Sequence, residues 1–251
     1  MNNIKLCLKL WSSNAVLLGN AVRLVEDGVF QCVELMVVPD TDISPFLRAK
    51  IPFILHVTSE NWGFNISDGS KRSFNLSILE NCFEWAEKLS APYLVLHPGF
   101  GDIGAAKDFL NGINDRRILI ENMPAIGDHN EAMVGYDHVQ IKELIGNRFG
   151  FCLDFGHAVK AATSLKKGSA KMLGDFLEIS PVNFHICDGI TKNEKDEHLS
   201  FGAGDFDLNF FASCVKKSRA KYITLETPRT DGRSLRDDLA NAAILRSLLD
   251  D

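Results

Sequence analysis

Short apolar runs recur along the chain, each followed by a stretch with helical spacing. The first run is 5–10, with a helical pattern at 14–26 behind it. The second, 32–38, ends in Pro39-Asp40 and leads to a short helix carrying Ile43, Phe46 and Leu47. The third, 52–57, carries His56 and opens onto a polar stretch at 58–72 that reads as a long loop before a helix at 75–89. The fourth, 93–96, ends in His97-Pro98-Gly99, and the fifth, 117–120, in Glu121-Asn122. A helix near 136–145 precedes a sixth run that ends at Asp154, with His157 opening the helix after it. The seventh, 182–186, carries His185, and the eighth, 222–225, ends in Glu226-Thr227-Pro228. A helix at 235–249 closes the chain.

Strands that are apolar on both faces and alternate with helices imply a parallel sheet covered on both sides. Eight such repeats, with no composition shift and no Pro- or Ser-rich linker, predict a closed (β/α)8 TIM barrel over an open sheet with a small cap. The 251 residues match the roughly 250 that one barrel requires. The expectation is therefore an α/β protein whose residues 1–251 form a single barrel domain.

In a barrel, all strand C-termini open onto one mouth. That mouth would gather His56, His97, Glu121, Asp154 with His157, His185 and Glu226, and the loop pair Asp196-x-His198 would lie beside it. Five of the seven histidines belong to this set, while His129 and His138 read as surface residues. Each member alone has a plainer explanation. A strand-end histidine is commonly just hydrogen-bonded, and a carboxylate there can cap the next helix. Four carboxylates in one pocket, however, repel one another unless cations neutralise them. Mixed imidazole and carboxylate donors suit Zn²⁺, Mn²⁺ or Fe²⁺ better than Ca²⁺ or Mg²⁺.

The order of these motifs resembles the xylose-isomerase-like TIM-barrel superfamily, and within it the endonuclease IV type of apurinic/apyrimidinic endonuclease. The matching pieces are His56, His97-Pro98-Gly99, Ile120-Glu121-Asn122, Leu153-Asp154-x-x-His157-Ala158, His185-x-x-Asp188, Asp196-x-His198 and Leu225-Glu226-Thr227. The resemblance implies up to three zinc ions. His56, His97 and Glu121 would hold one. Glu121 would bridge to a second, shared with Asp154, His185 and Glu226. His157, Asp196 and His198 would hold the third.

Two activities follow from that resemblance. The first is phosphoester hydrolysis, in which zinc lowers the pKa of a water and the resulting hydroxide attacks phosphorus. Four carboxylates would offset about four of the six charges of three Zn²⁺, leaving a positive field for a phosphate-containing substrate, possibly abasic DNA. The second is isomerisation or epimerisation of a small sugar or sugar phosphate around one Mn²⁺ or Mg²⁺, with Glu121 and Glu226 as the acid/base pair. Trp62 and Met123-Pro124 would then shape the sugar pocket. A non-enzymatic barrel has no evident use for such an acidic set.

The remaining features narrow the setting. The net charge of -6 argues against a broad DNA-binding face, which needs clustered Lys and Arg. No apolar run reaches the roughly 18 residues of a membrane span, and the N-terminus lacks the pattern of a secretory signal. Cys7, Cys32, Cys152 and Cys187 lie within apolar runs, which suggests buried reduced thiols and a cytoplasmic location. Cys152 and Cys187 read as small fillers beneath the metals, each two residues from a ligand on its own strand.

Overall fold

The computed structural model describes residues 4–250. Its strands are β1 (Lys5–Trp11), β2 (Cys32–Val37), β3 (Phe53–Val57), β4 (Leu94–Leu96), β5 (Ile118–Glu121), β6 (Gly150–Asp154), β7 (Asn183–Ile186) and β8 (Tyr222–Leu225). They pair in parallel in sequence order, and β8 returns to β1, closing the barrel. The helices are α1 (Leu18–Glu26), α2 (Ser44–Ala49), α3 (Arg72–Leu89), α4 (Ile103–Asn111), α5 (His138–Ile145), α6 (Phe155–Ser164), α7 (Ser169–Leu177), α8 (Leu208–Lys217) and α9 (Arg236–Asp250). The sequence pattern singled out neither α4, α7 nor α8, and it read 14–17, part of the 3-10 segment Ser12–Leu17, as the start of α1. The loop expected at 58–72 contains 3-10 turns at Glu60–Trp62 and Gly69–Lys71.

Each strand places alternate side chains on opposite faces. One set, including Leu8, Leu35, Leu55, Leu96, Ile120, Leu153, Phe184 and Leu225, packs under the helices in one continuous core. The other set fills the barrel. Its floor is apolar: Cys7, Cys32, Ile54 and Tyr222 form one cluster, and Val95, Leu119 and Cys152 another. Two residues further along the strands the interior turns polar, with Lys9, Glu34, His56, Glu121, Asp154, His185 and Thr224 all buried. That switch from apolar to polar toward the strand C-termini is what positions a site at the mouth.

Aromatic packing on the outer face fixes β6 and β7 below that site. Phe155 stacks on Phe211 at 4.7 Å between ring centroids and lies against Phe184 at 5.1 Å. Removing such a buried ring typically costs about 3–5 kcal/mol. Phe155 directly follows Asp154, so this packing also fixes where the carboxylate sits.

The structure corrects the thiol expectation in part. Cys7 and Cys32 are partners in the β1–β2 register and form a disulfide, with Cα atoms 4.7 Å apart. Both point into the barrel from neighbouring parallel strands, a juxtaposition that becomes visible once the register is known. Cys82, Cys152, Cys187 and Cys214 are free and buried. Among the described residues no helix is long and apolar enough to cross a membrane.

Candidate metal centre

All nine residues expected at the mouth converge there, with Glu121 at the middle. Its Oε2 lies 3.3 Å from His56 Nε2 and 3.2 Å from His97 Nε2. Its Oε1 lies 3.1 Å from His185 Nδ1 and 3.4 Å from His157 Nδ1. Glu226 reaches the same His185 nitrogen with Oε1 at 3.3 Å, and its Oε2 meets His198 Nε2 at 3.1 Å. Asp196 bonds His198 Nδ1 and lies 3.8 Å from His157 Nε2.

The imidazoles are held by their second nitrogens. His56 Nδ1 donates to the Val57 carbonyl at 2.6 Å, and His157 Nδ1 to the Asn122 carbonyl at 2.8 Å. A carbonyl only accepts, so Nδ1 is the donor in both and Nε2 is the nitrogen that faces the carboxylates of the centre. His97 Nδ1 faces Glu60 at 3.2 Å, and His185 Nε2 faces Glu34 at 2.9 Å. Carboxylate–imidazole pairs of this kind orient metal-ligating histidines and raise their basicity.

Neighbouring, overlapping donor sets result. The ligand atoms of His56, His97 and Glu121 lie within 4.8 Å of one another, as do those of Asp154, His157 and His198. The same holds for Glu34, His56, His185 and Glu226, and for Cys187, Asp196 and His198. Relative to the expected grouping, Asp154 joins the set of His157 and His198, and Glu34 joins the middle set. Cys152 occupies the interior as expected, and Cys187 sits beside Asp196 and His198 rather than deep below them. Burial pushes both thiols up, with nearby carboxylates adding to the effect, so neither is a ready thiolate.

The electrostatics is that of a cation site. Asp154 caps α6 by accepting from the His157 N–H at 2.6 Å through Oδ1, which is the plainer role the sequence allowed. Its Oδ2 is buried with no partner, and so is Oδ1 of Asp196. A buried carboxylate oxygen left bare is costly, and a bound cation satisfies it. Burial raises Asp154 to about 6, helped by the charges of Glu121 and Glu226. Burial also works against ionising Asp196, yet His198 and His157 outweigh it and bring that group to about 2. For His97, burial opposes the charge but Glu121 and Glu60 lift it to about 10. His56 is pushed down, by burial first and then by Lys9. His97, His185 and His198, packed around carboxylates, thus take up protons where divalent ions would otherwise supply the charge. The donor set fits a divalent metal such as Zn²⁺.

Three residues of the centre had not been anticipated. Lys9 Nζ lies 2.6 Å from Glu34 Oε1 and also bonds Glu226 Oε1. Glu34 accepts in addition from Thr224 Oγ1 at 2.7 Å and Asn183 Nδ2 at 3.1 Å. Lys9 and Glu34 are charges at inward positions of otherwise apolar strands, and a charge there demands a partner; that signal was present in the sequence. Glu60 comes from an irregular loop and carried no such signal.

The loop bearing Asp196 and His198 is built rather than floppy. The Asp188 carboxylate accepts N–H bonds from Gly189, Gly202, Gly204 and Phe206, and Asp188 bridges to Leu199. Buried Lys160 pairs with Glu197, between the two ligand candidates. His198 itself adopts a left-handed φ of 47°, a strained backbone of the kind that concentrates at functional sites.

Above the centre is a cavity of about 830 Å³, walled by Trp11, Trp62, Phe100, Met123 and Met133 among others. Its acidic lining includes Glu60, Asp128, Glu131 and Glu197, and Lys9 is its one Lys or Arg among the described residues. His129, read as a surface residue, also borders it. His138 opens α5 beside Asp175, as a helix-start residue.

A closed parallel barrel whose mouth gathers imidazoles and carboxylates in this way defines a TIM barrel with a candidate metal centre. The profile of the xylose isomerase-like TIM barrel family matches residues 46–248, and the chain belongs to that family. An uncharacterized protein of Methanocaldococcus jannaschii, MJ1614, is 27% identical over 239 residues, covering 87% of this chain and 90% of that protein. The probable endonuclease 4 of Metamycoplasma arthritidis is 28% identical over 188 residues, 66% of this chain and 67% of that protein. Among solved structures, a D-tagatose 3-epimerase-like protein superposes with a TM-score of 0.73 at 17% identity, covering 98% of this chain and 97% of its own. Endonuclease IV from Thermus thermophilus gives 0.68 at 18%, with 98% and 99% covered. The IOLI protein, solved with a bound zinc atom, gives 0.64 at 15%, with 98% of each chain covered. The shared fold thus serves both endonuclease IV-type and epimerase-like members.

Proposed function

We propose that this protein is a metal-dependent phosphoester hydrolase of the endonuclease IV type, with His56, His97, Glu121, Asp154, His157, His185, Asp196, His198 and Glu226 as its metal-binding residues. The observation that carries this reading is the set of adjoining donor clusters around Glu121, together with the bare, buried oxygens of Asp154 and Asp196. One divalent ion for sugar chemistry would not need the His157, Asp196 and His198 cluster.

Zinc ions held there would supply Lewis-acid stabilisation and a nucleophilic water at neutral pH. The chain's own residues do the rest. Glu121 links neighbouring clusters, because its two oxygens face different histidines. The Asn122 side chain holds Asp154 by accepting from the Asp154 N–H at 2.8 Å and donating to its carbonyl at 2.9 Å. Glu226 is held ionised despite its burial, by His185 and Lys9 first. Glu121 is likewise held well below the usual carboxylate range, by His185 and His97 against burial. An ionised carboxylate suits a metal ligand, and it would serve equally as the general base of an isomerase. The phosphate of a substrate would meet the centre from the cavity side, past Trp62 and Met123.

One observation favours the second reading. Among the described residues the cavity wall offers Lys9 alone against several carboxylates, whereas a duplex backbone is gripped by many Lys and Arg. Sugar isomerisation or epimerisation with Mn²⁺ or Mg²⁺, using Glu121 and Glu226, is the alternative. The test is an assay of chelator-stripped and Zn²⁺-reloaded protein on an abasic-site duplex and on bis(4-nitrophenyl) phosphate. Cleavage of either substrate only when loaded supports the hydrolase. Full activity of stripped protein, or ketose–aldose turnover with no phosphoester cleavage by loaded protein, would sink it.

A further inference from the structure

We infer that Lys9 is a resident cation of this centre, occupying the inner oxygen of Glu226 and thereby setting how tightly the middle of the three metal positions is filled. This rests on the metal-binding reading above but not on phosphoester chemistry.

Lys9 and Glu34 are register partners on β1 and β2, and both side chains point into the barrel. The Lys9 ammonium is buried and contacts two carboxylates, Glu34 at 2.6 Å and Glu226. Glu226 Oε1 is the oxygen that also faces His185 Nδ1 at 3.3 Å. The ammonium therefore sits on the carboxylate oxygen closest to the donor nitrogen of the middle set. Glu226 Oε2 remains directed at His198. The clusters on either side differ. Neither His56, His97 and Glu121 nor His157, Asp196 and His198 has a Lys or Arg bonded to its ligand atoms among the described contacts.

A fixed positive charge in direct contact with a ligand oxygen repels an incoming divalent ion and takes one of its coordination directions. The outer two clusters should then fill first, and the middle one only as Glu226 gives up Lys9. Lys9 is thus a positioning residue that tunes affinity, and Lys9→Met should relieve the competition. Lys9→Arg keeps the charge and should leave it in place.

The experiment is titration of the chelator-stripped full chain with Zn²⁺, read as stoichiometry by elemental analysis after dialysis and as affinity by competition with a coloured chelator. The unaltered protein should hold two ions tightly and a third at least about tenfold more weakly. Lys9→Met should tighten the third by about tenfold or more, and Lys9→Arg should match the unaltered protein. Three ions of equal tightness in the unaltered protein overturn the inference, as does folded Lys9→Met with an unchanged third site. If Lys9→Met does not fold, the stepwise filling of the unaltered protein decides alone. Failure to bind zinc at all overturns the metal reading itself, whereas binding of three equal ions leaves that reading standing.

Discussion

His185 Nε2 lies 2.9 and 3.0 Å from the two oxygens of Glu34, joining β7 to β2 across the barrel interior. This bond turns Nδ1 of His185 toward Glu121 and Glu226. Outer partners of this kind are worth about 10–100-fold in metal affinity. Glu34→Gln should therefore weaken zinc binding by that order, measured by chelator competition. An unchanged affinity in folded protein would mean that Glu34 serves only to neutralise Lys9.

Replacing Asp196 or His198 by Ala should remove one zinc equivalent and most of the phosphoester activity. Elemental analysis beside a cleavage assay checks both effects at once. Retention of the full metal complement would assign Asp196-x-His198 to loop structure alone.

The metal-free protein should lose stability as pH rises from about 6.5 to 10. The direction follows from His97, whose folded pKa of about 10 exceeds its ordinary value because Glu121 and Glu60 outweigh burial. A group raised on folding stabilises fully below its unfolded pKa, and that stabilisation drains away up to the folded pKa. His185 and His198 are also raised, against burial, and act in the same sense. Thermal melts in chelator across this window should show a falling midpoint, and zinc should flatten the profile. A midpoint that rises with pH in chelator would contradict the charge assignment.

Asp188 should matter to the centre without touching it. Its carboxylate collects four backbone N–H groups that organise 189–206, including the bends around Gly202 and Gly204. An added Cβ at Gly204 would collide with the Gly189 backbone and the Asp188 carboxylate. Asp188→Ala should cost about 1–3 kcal/mol in denaturant unfolding, and Gly204→Ala a similar amount. Both should loosen zinc at the Asp196 and His198 cluster more than at His56 and His97.

Much of this was legible in the sequence because periodicity and strand-end chemistry are local properties. The run ending at Asp154 could be read as a strand leading into a helix without coordinates, although that helix begins at Phe155, directly after the strand, and not after a turn at His157. The eight-fold repetition then fixed the closed sheet. Convergence of His56 with His185 followed from topology, since all strand ends of a barrel share one rim. Other features depended on register, which a list of apolar runs does not specify. The Cys7–Cys32 bond and the Lys9–Glu34 pair both come from the same β1–β2 alignment. Glu60 reaches His97 from a 3-10 turn whose path follows from tertiary packing alone. The double role of Asp154, a helix cap on one oxygen and a bare acceptor on the other, needed atomic positions.

The central claim is that these imidazoles and carboxylates jointly hold divalent ions. Anomalous diffraction at the zinc edge, on crystals grown with Zn²⁺, tests it most directly. The account predicts peaks at the cluster of His56, His97 and Glu121 and at the cluster of His157, Asp196 and His198. A zinc-edge map with no peak within coordination distance of Glu121, Asp154 or Asp196 would contradict it.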